Sequence, residues 1–132
     1  MHLTTVARRK KGLPAAHRYL NAYRALDELF DLGRSNGLLL ELMLAQDEGD
    51  TARTFDLLDA YIDARLSYTL DYRKNPFFPG VQTHVPTKNE IIETHRLTLR
   101  SLEEDPQYKQ MRGDPRFQAA LDRLRSIISS EA

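Results

Sequence analysis

Two Asp-Pro steps stand nine residues apart near the C-terminus, Asp105-Pro106 and Asp114-Pro115. Each reads as a helix start. The aspartate carboxylate accepts from backbone N–H groups that the first helical turn leaves unpaired, and proline at the first helical position has no N–H to lose. An aromatic follows each proline at the same offset, Tyr108 and Phe117. The spacing therefore predicts a short turn or helix at Pro106–Met111 and a last helix from Pro115 to about Ser129. On that helix Phe117, Leu121, Leu124 and Ile128 share one side.

The same punctuation organises the rest of the chain. Pro and Gly fall between periodic segments and not within them, and no run alternates cleanly between apolar and polar. The sequence predicts an all-α protein, built of antiparallel helical hairpins or an irregular bundle of about five helices. Pro14 opens the first helix, which reaches about Leu32 before Gly33. Tyr19, Tyr23, Leu26 and Phe30 recur on one face, widened by Leu20 and Leu29. Ser35 or Asn36 is the expected cap of a second, strongly apolar helix over about Gly37–Glu48. Gly49 ends it and Asp50 caps a third, about Thr51–Leu70, whose core face is Phe55, Leu58, Ile62 and Leu66. The tight turn between these two helices places them antiparallel and adjacent. Residues 75–88, with Pro76, Pro79, Gly80 and Pro86, cannot be helical. Thr87 with Glu90 forms a capping-box pattern, with Asn89 as the rival cap, before a fourth helix over Lys88–Glu104. That helix lines up Ile91, Ile92, His95, Leu99 and Leu102. The expected organisation is a basic arm over 1–12 and a single helical domain over 13–132, with a Pro-rich loop at 75–88 and a capping segment at 105–129.

Composition narrows the function classes. The 132 residues suffice for a real core, with 41% apolar and 29% charged residues. Nineteen Lys and Arg balance nineteen Asp and Glu, so no global field favours nucleic acid or an anionic membrane. The absence of cysteine excludes disulfides, thiolate metal sites and a cysteine nucleophile. It fits a reducing, cytoplasmic setting. The N-terminus lacks the apolar stretch of a secretory signal, and no apolar run approaches a membrane span. The run Leu38-Leu39-Leu40 stops at Glu41.

Leu38 to Ala64 resembles a tetratricopeptide-type helical hairpin, with Gly49-Asp50 at the turn and Thr54-Phe55-Asp56-Leu57-Leu58-Asp59-Ala60-Tyr61 in the place of the second helix. The ending resembles the C-terminal cap of bacterial tetratricopeptide arrays. The matching residues are Asp105-Pro106-Gln107-Tyr108, then Arg112-Gly113-Asp114-Pro115-Arg116-Phe117-Gln118. Thr54 and Tyr61 stand where that family carries small residues, and no 34-residue period runs through the chain. The resemblance implies a short α-solenoid that carries protein contacts, as the C-terminal part or adaptor of a bacterial regulatory system.

Candidate sites follow from exposed or interrupted positions. Tyr72, Phe77 and Phe78 sit where regular helix gives way, and aromatics dominate interface anchors. Asp56, Asp59 and Asp63 form an acidic stripe able to steer a basic partner, although the commoner role of such a stripe is a solvated face. His84, Glu90 and His95 are the nearest approach to a metal set, but they lack the spacing of a zinc helix. Asp47, Glu48 and Asp50 lack the alternation of a calcium loop and read as turn and cap residues. Arg8-Arg9-Lys10-Lys11 would give phosphate only weak, salt-sensitive contact. No nucleophile elbow or phosphate loop occurs. The expected function is a protein-interaction module, with a protein, a peptide or a second copy of the chain as partner. No enzyme activity, metal, cofactor, nucleic acid or membrane is expected. The alternative is a helical regulatory domain that binds DNA or a small ligand.

Overall fold

The computed structural model describes residues 12–30, 32–67, 75–77, 79–80 and 86–131. Among them lie five α-helices and one 3-10 turn, and no strand. The helices are α1 (Leu13–Phe30), α2 (Ser35–Asp47), α3 (Thr51–Ser67), α4 (Lys88–Glu104) and α5 (Pro115–Glu131), with the 3-10 turn at Pro106–Tyr108. The chain forms two compact units, the first ending at Arg65 and the second beginning at Leu66.

In the first unit α1 lies against α2. Ala16 and Leu20 of α1 and Leu40 and Leu44 of α2 form a buried cluster, with Ala15, Tyr19 and Tyr23 packed on its edge. This corrects the expected face of α1. Tyr19, Tyr23 and Phe30 are only half-buried, and Leu26 and Leu29 point outward. At 100° per residue Ala16 and Leu20 lie well round the helix from Leu26 and Leu29, and α2 covers the former pair.

The joint between α2 and α3 closes on backbone geometry. Gly49 adopts a left-handed conformation (φ +74°). Its N–H donates to the Gln46 carbonyl at 3.1 Å, and the Asp50 N–H donates to the Ala45 carbonyl at 3.0 Å. These two bonds make a Schellman motif. The Asp50 carboxylate then accepts from the Arg53 N–H at 3.2 Å and so caps α3. The expected side-chain cap of α2 is not formed. Arg34 flanks the helix without a side-chain cap bond, and Ser35 is already helical and buried. Asn36 instead hydrogen-bonds the Tyr23 side chain across to α1.

In the second unit α4 begins with the expected capping box. The Glu90 N–H donates to Thr87 Oγ1 at 3.3 Å and the Thr87 N–H donates to Glu90 Oε2 at 2.7 Å. Asn89 lies inside the first turn and is not the cap. The Asp105 carboxylate accepts from the Gln107 N–H at 3.1 Å, and that of Asp114 accepts from the Arg116 N–H at 2.9 Å. Tyr108 and Phe117 are both buried, with ring centroids 6.3 Å apart. α4 packs on α5, and α5 runs two residues beyond the expected end, to Glu131. Arg112 ties the segment together. Its guanidinium donates to the Leu102 carbonyl at 3.3 Å and to the Asp105 carbonyl, while the Gln118 side-chain amide donates to the Arg112 carbonyl at 2.6 Å. One carbonyl of the last turn of α4, at Leu102, and that of the capping residue Asp105 are thereby satisfied from outside the helix.

Three substitutions probe these ends. Gly49→Ala meets no atom within 4 Å, so its cost is purely conformational, and urea unfolding should show a loss of about 1 kcal/mol. Arg112→Ala should cost about 1–2 kcal/mol in the same measurement. Arg112→Lys should recover only part of it, because an ammonium lacks the planar fork that reaches both carbonyls.

Candidate functional site

Helix α1 has a held side and a bare side. On the held side, Glu41 of α2 accepts from Arg24 of α1 and from Arg53 of α3. Its carboxylate is mostly buried, with a side-chain exposure of 13%, whereas both guanidinium groups remain substantially in solvent. One acid thus joins three helices. Gly37 makes room for it: a Cβ at that position would stand 2.9 Å from Cγ of Arg24. A second tie joins His17 of α1 to Glu48, the residue that ends α2.

Beside Arg24 a cleft of about 360 Å³ opens, lined by Arg24, Asp27, Glu28, Gly33, Arg34 and Gly37. Its charges are mixed. Burial pushes the Asp27 carboxyl above its usual value of 3.8. Burial, then the nearby Asp27 charge, pushes the Tyr23 hydroxyl up as well, against the opposing hydrogen bond from Asn36. The Asp27 carbonyl meanwhile accepts from the Leu32 N–H at 2.9 Å, which closes the end of α1.

The bare side of α1 carries Ala22, Ala25, Leu26 and Leu29, all exposed. Leu26 is 52% and Leu29 58% exposed, and they share a face one helical turn apart. Exposed Arg18 continues this face toward the N-terminus and exposed Glu28 flanks its other end. Sequence periodicity placed both leucines in the core. The signal it passed over is that α1 carries apolar residues on two sides, and the side centred on Ala16 and Leu20 is the one that meets α2.

The other candidate residues are scattered. Phe77 is 49% exposed, and its N–H donates to Asn75 Oδ1 at 3.0 Å, an Asx turn that displays the ring. Tyr72 and Phe78 lie outside the described residues, as do His2, His84 and the basic run Arg8–Lys11. Asp56 and Asp63 are exposed and Asp59 half-buried on α3, but all three already engage other residues. They belong to the first unit and Phe77 to the second. Glu90 is spent in the capping box, and buried His95 places Nδ1 3.2 Å from Glu131 Oε2, bracing α4 against the end of α5. A polar cleft of about 400 Å³ lies alongside, lined by Lys88, Asn89, Ile92, Glu93, Arg96 and Glu131. Among the described residues no three His, Asp or Glu side chains are placed to share a metal ion, and no helix is long and apolar enough to cross a membrane.

Comparison with known protein families, with curated proteins and with solved structures found no match.

Asp27 gives the site a pH signature. Because its folded pKa is raised, the folded state holds the proton more tightly than the unfolded chain, and stability falls as pH rises from about 3.8 through the folded value. Asp27→Asn should therefore be more stable than wild type at pH 7 and equal to it at pH well below 3.8, read as urea midpoints across that range.

Proposed function

We propose that this chain is a protein-interaction module, a short tetratricopeptide-like helical array whose docking surface is the outer face of α1. The observation that carries the reading is the pair of leucines left half in water on an otherwise well-anchored helix. Scattered exposed leucines are ordinary, but here two share a face with Ala22 and Ala25 and form a continuous strip.

The likeness of the Asp105–Gln118 segment to the ends of tetratricopeptide arrays supports the same reading, since such arrays serve to hold other proteins. The ties from Glu41 to Arg24 and Arg53, and from His17 to Glu48, fix α1 on its inner side. A partner then meets a helix that is already ordered, and little entropy is lost in docking. Burying the exposed parts of Leu26 and Leu29 contributes about 1 kcal/mol each. Phe77, displayed on its Asx turn, is a separate apolar contact point in the second unit.

A photo-crosslinking residue at position 25 tests this reading. It should give a discrete protein adduct that the same residue at exposed Ser101 of α4 does not. The double substitution Leu26→Lys, Leu29→Lys should abolish the adduct and leave the circular dichroism spectrum and melting unchanged, because neither side chain belongs to the core. No adduct at position 25, or one indifferent to the double substitution, removes α1 as a docking surface.

A further inference from the structure

We infer that the occupant of the α1 face is a second copy of this chain, docked through its own α1 in the antiparallel sense. The inference rests on the reading of α1 as a docking surface and names its partner. The exposed strip runs Arg18, Ala22, Ala25, Leu26, Leu29, with Glu28 beside its C-terminal end. Both its sizes and its charges are polar along the helix: small residues fill the middle, large apolar residues one end, and a cation the other.

A two-fold axis crossing the strip between Ala22 and Ala25 turns this asymmetry into self-complementarity. Leu26 of one copy falls on the alanine floor of the other, and the small side chains let two helices approach to about 8–10 Å. Leu29 lies along the aliphatic stem of the other copy's Arg18, whose guanidinium then reaches Glu28. The operation is isologous, so each contact occurs twice. A parallel arrangement sets Arg18 beside Arg18, Glu28 beside Glu28 and leucine on leucine over an empty alanine floor, and is disfavoured on both counts.

Arg18 and Glu28 are open to this use. Both are exposed, and neither forms an ion pair among the described residues. They cannot pair with each other within one helix, since ten residues of helix separate them by about 15 Å. The patch is a single helix face of about three turns. A patch of that size is smaller than the roughly 1,200 Å² of a stable complex, so the dimer is a weak one that exchanges with monomer.

Sedimentation equilibrium of the full chain, from about 1 to 500 µM at low salt, reads the outcome. Wild type should shift from monomer to dimer across that range. Leu26→Lys, still helical by circular dichroism, should remain monomeric. Arg18→Glu and Glu28→Arg should each weaken the dimer about tenfold, since each breaks both symmetric pairs and sets like charges together. The double variant carrying both reversals should return to within about twofold of wild type, which only copies that pair Arg18 with Glu28 permit.

A monomer throughout, a dimer indifferent to Leu26→Lys, or a double reversal that fails to restore association each overturns self-pairing. The crosslink at position 25 separates this failure from that of the broader reading. A monomer that still crosslinks through α1 to a different protein leaves the docking surface standing with another occupant. A monomer without any adduct removes both.

Discussion

A helix of thirteen to eighteen residues leaves a large share of its backbone groups at its ends, where no helical partner exists. Every α-helix among the described residues is of that size, so the way each end is satisfied decides where the chain turns and what can lie next to it. The second unit adds side chains to its backbone turns at several of these ends. Thr87 and Glu90 close the start of α4, Asp105 and Asp114 open the segments after it, and Arg112 returns to cover the carbonyls at its end. The first unit relies more on backbone, with the paired bonds at Gly49 and Asp50 and the longer closure from Leu32 to Asp27. Side-chain packing follows from these ends. Tyr108 can stack near Phe117 because two Asp-Pro starts set the intervening turn.

Features written within a few residues of one another were legible in the sequence. The limits of α4, the start of α5 and the roles of Thr87, Asp50, Asp105 and Asp114 all follow from patterns spanning three or four positions. Features that depend on which helix covers which were not. Leu26 and Leu29 obey the same periodicity as a core residue, and only the position of α2 shows that Ala16 and Leu20 hold that place. The cap of α2 failed because the helix begins earlier than the capping pattern suggests: Arg34 stands at the cap position, and Ser35 and Asn36 are already inside the first turn. Arg112 and Gln118 were visible as part of a resemblance but not as hydrogen-bond donors, because their acceptors lie on backbone that carries no residue-specific signal.

The candidate site shows the same division. The acidic positions of α3 read as one outward stripe, and Asp56 and Asp63 are exposed while Asp59 is half-buried; the spacing of Arg53 and Arg65 allows local pairing with Asp56 and Asp63, and all three aspartates engage other residues. Phe77 was recognisable as an aromatic in a broken segment, and the Asx turn from Asn75 explains how it comes to be displayed. The union of Arg24, Glu41 and Arg53 had no sequence signal, since its members come from three helices and only their packing sets Glu41 between the two arginines. Gly37 read only as the start of α2, and the structure shows what it permits: a Cβ there would stand 2.9 Å from Cγ of Arg24.

Asp50 belongs to two helices at once, closing α2 with its backbone and opening α3 with its carboxylate. The azimuth of α3 about its own axis is therefore geared to that of α2 through a single residue, with no slack between them. Adding or deleting one residue at this joint would spin α3 by about 100°, carrying buried Phe55, Leu58 and Ile62 toward water and its aspartates inward. Related chains should accordingly vary in length before α1 or after α3 while keeping this joint at constant length.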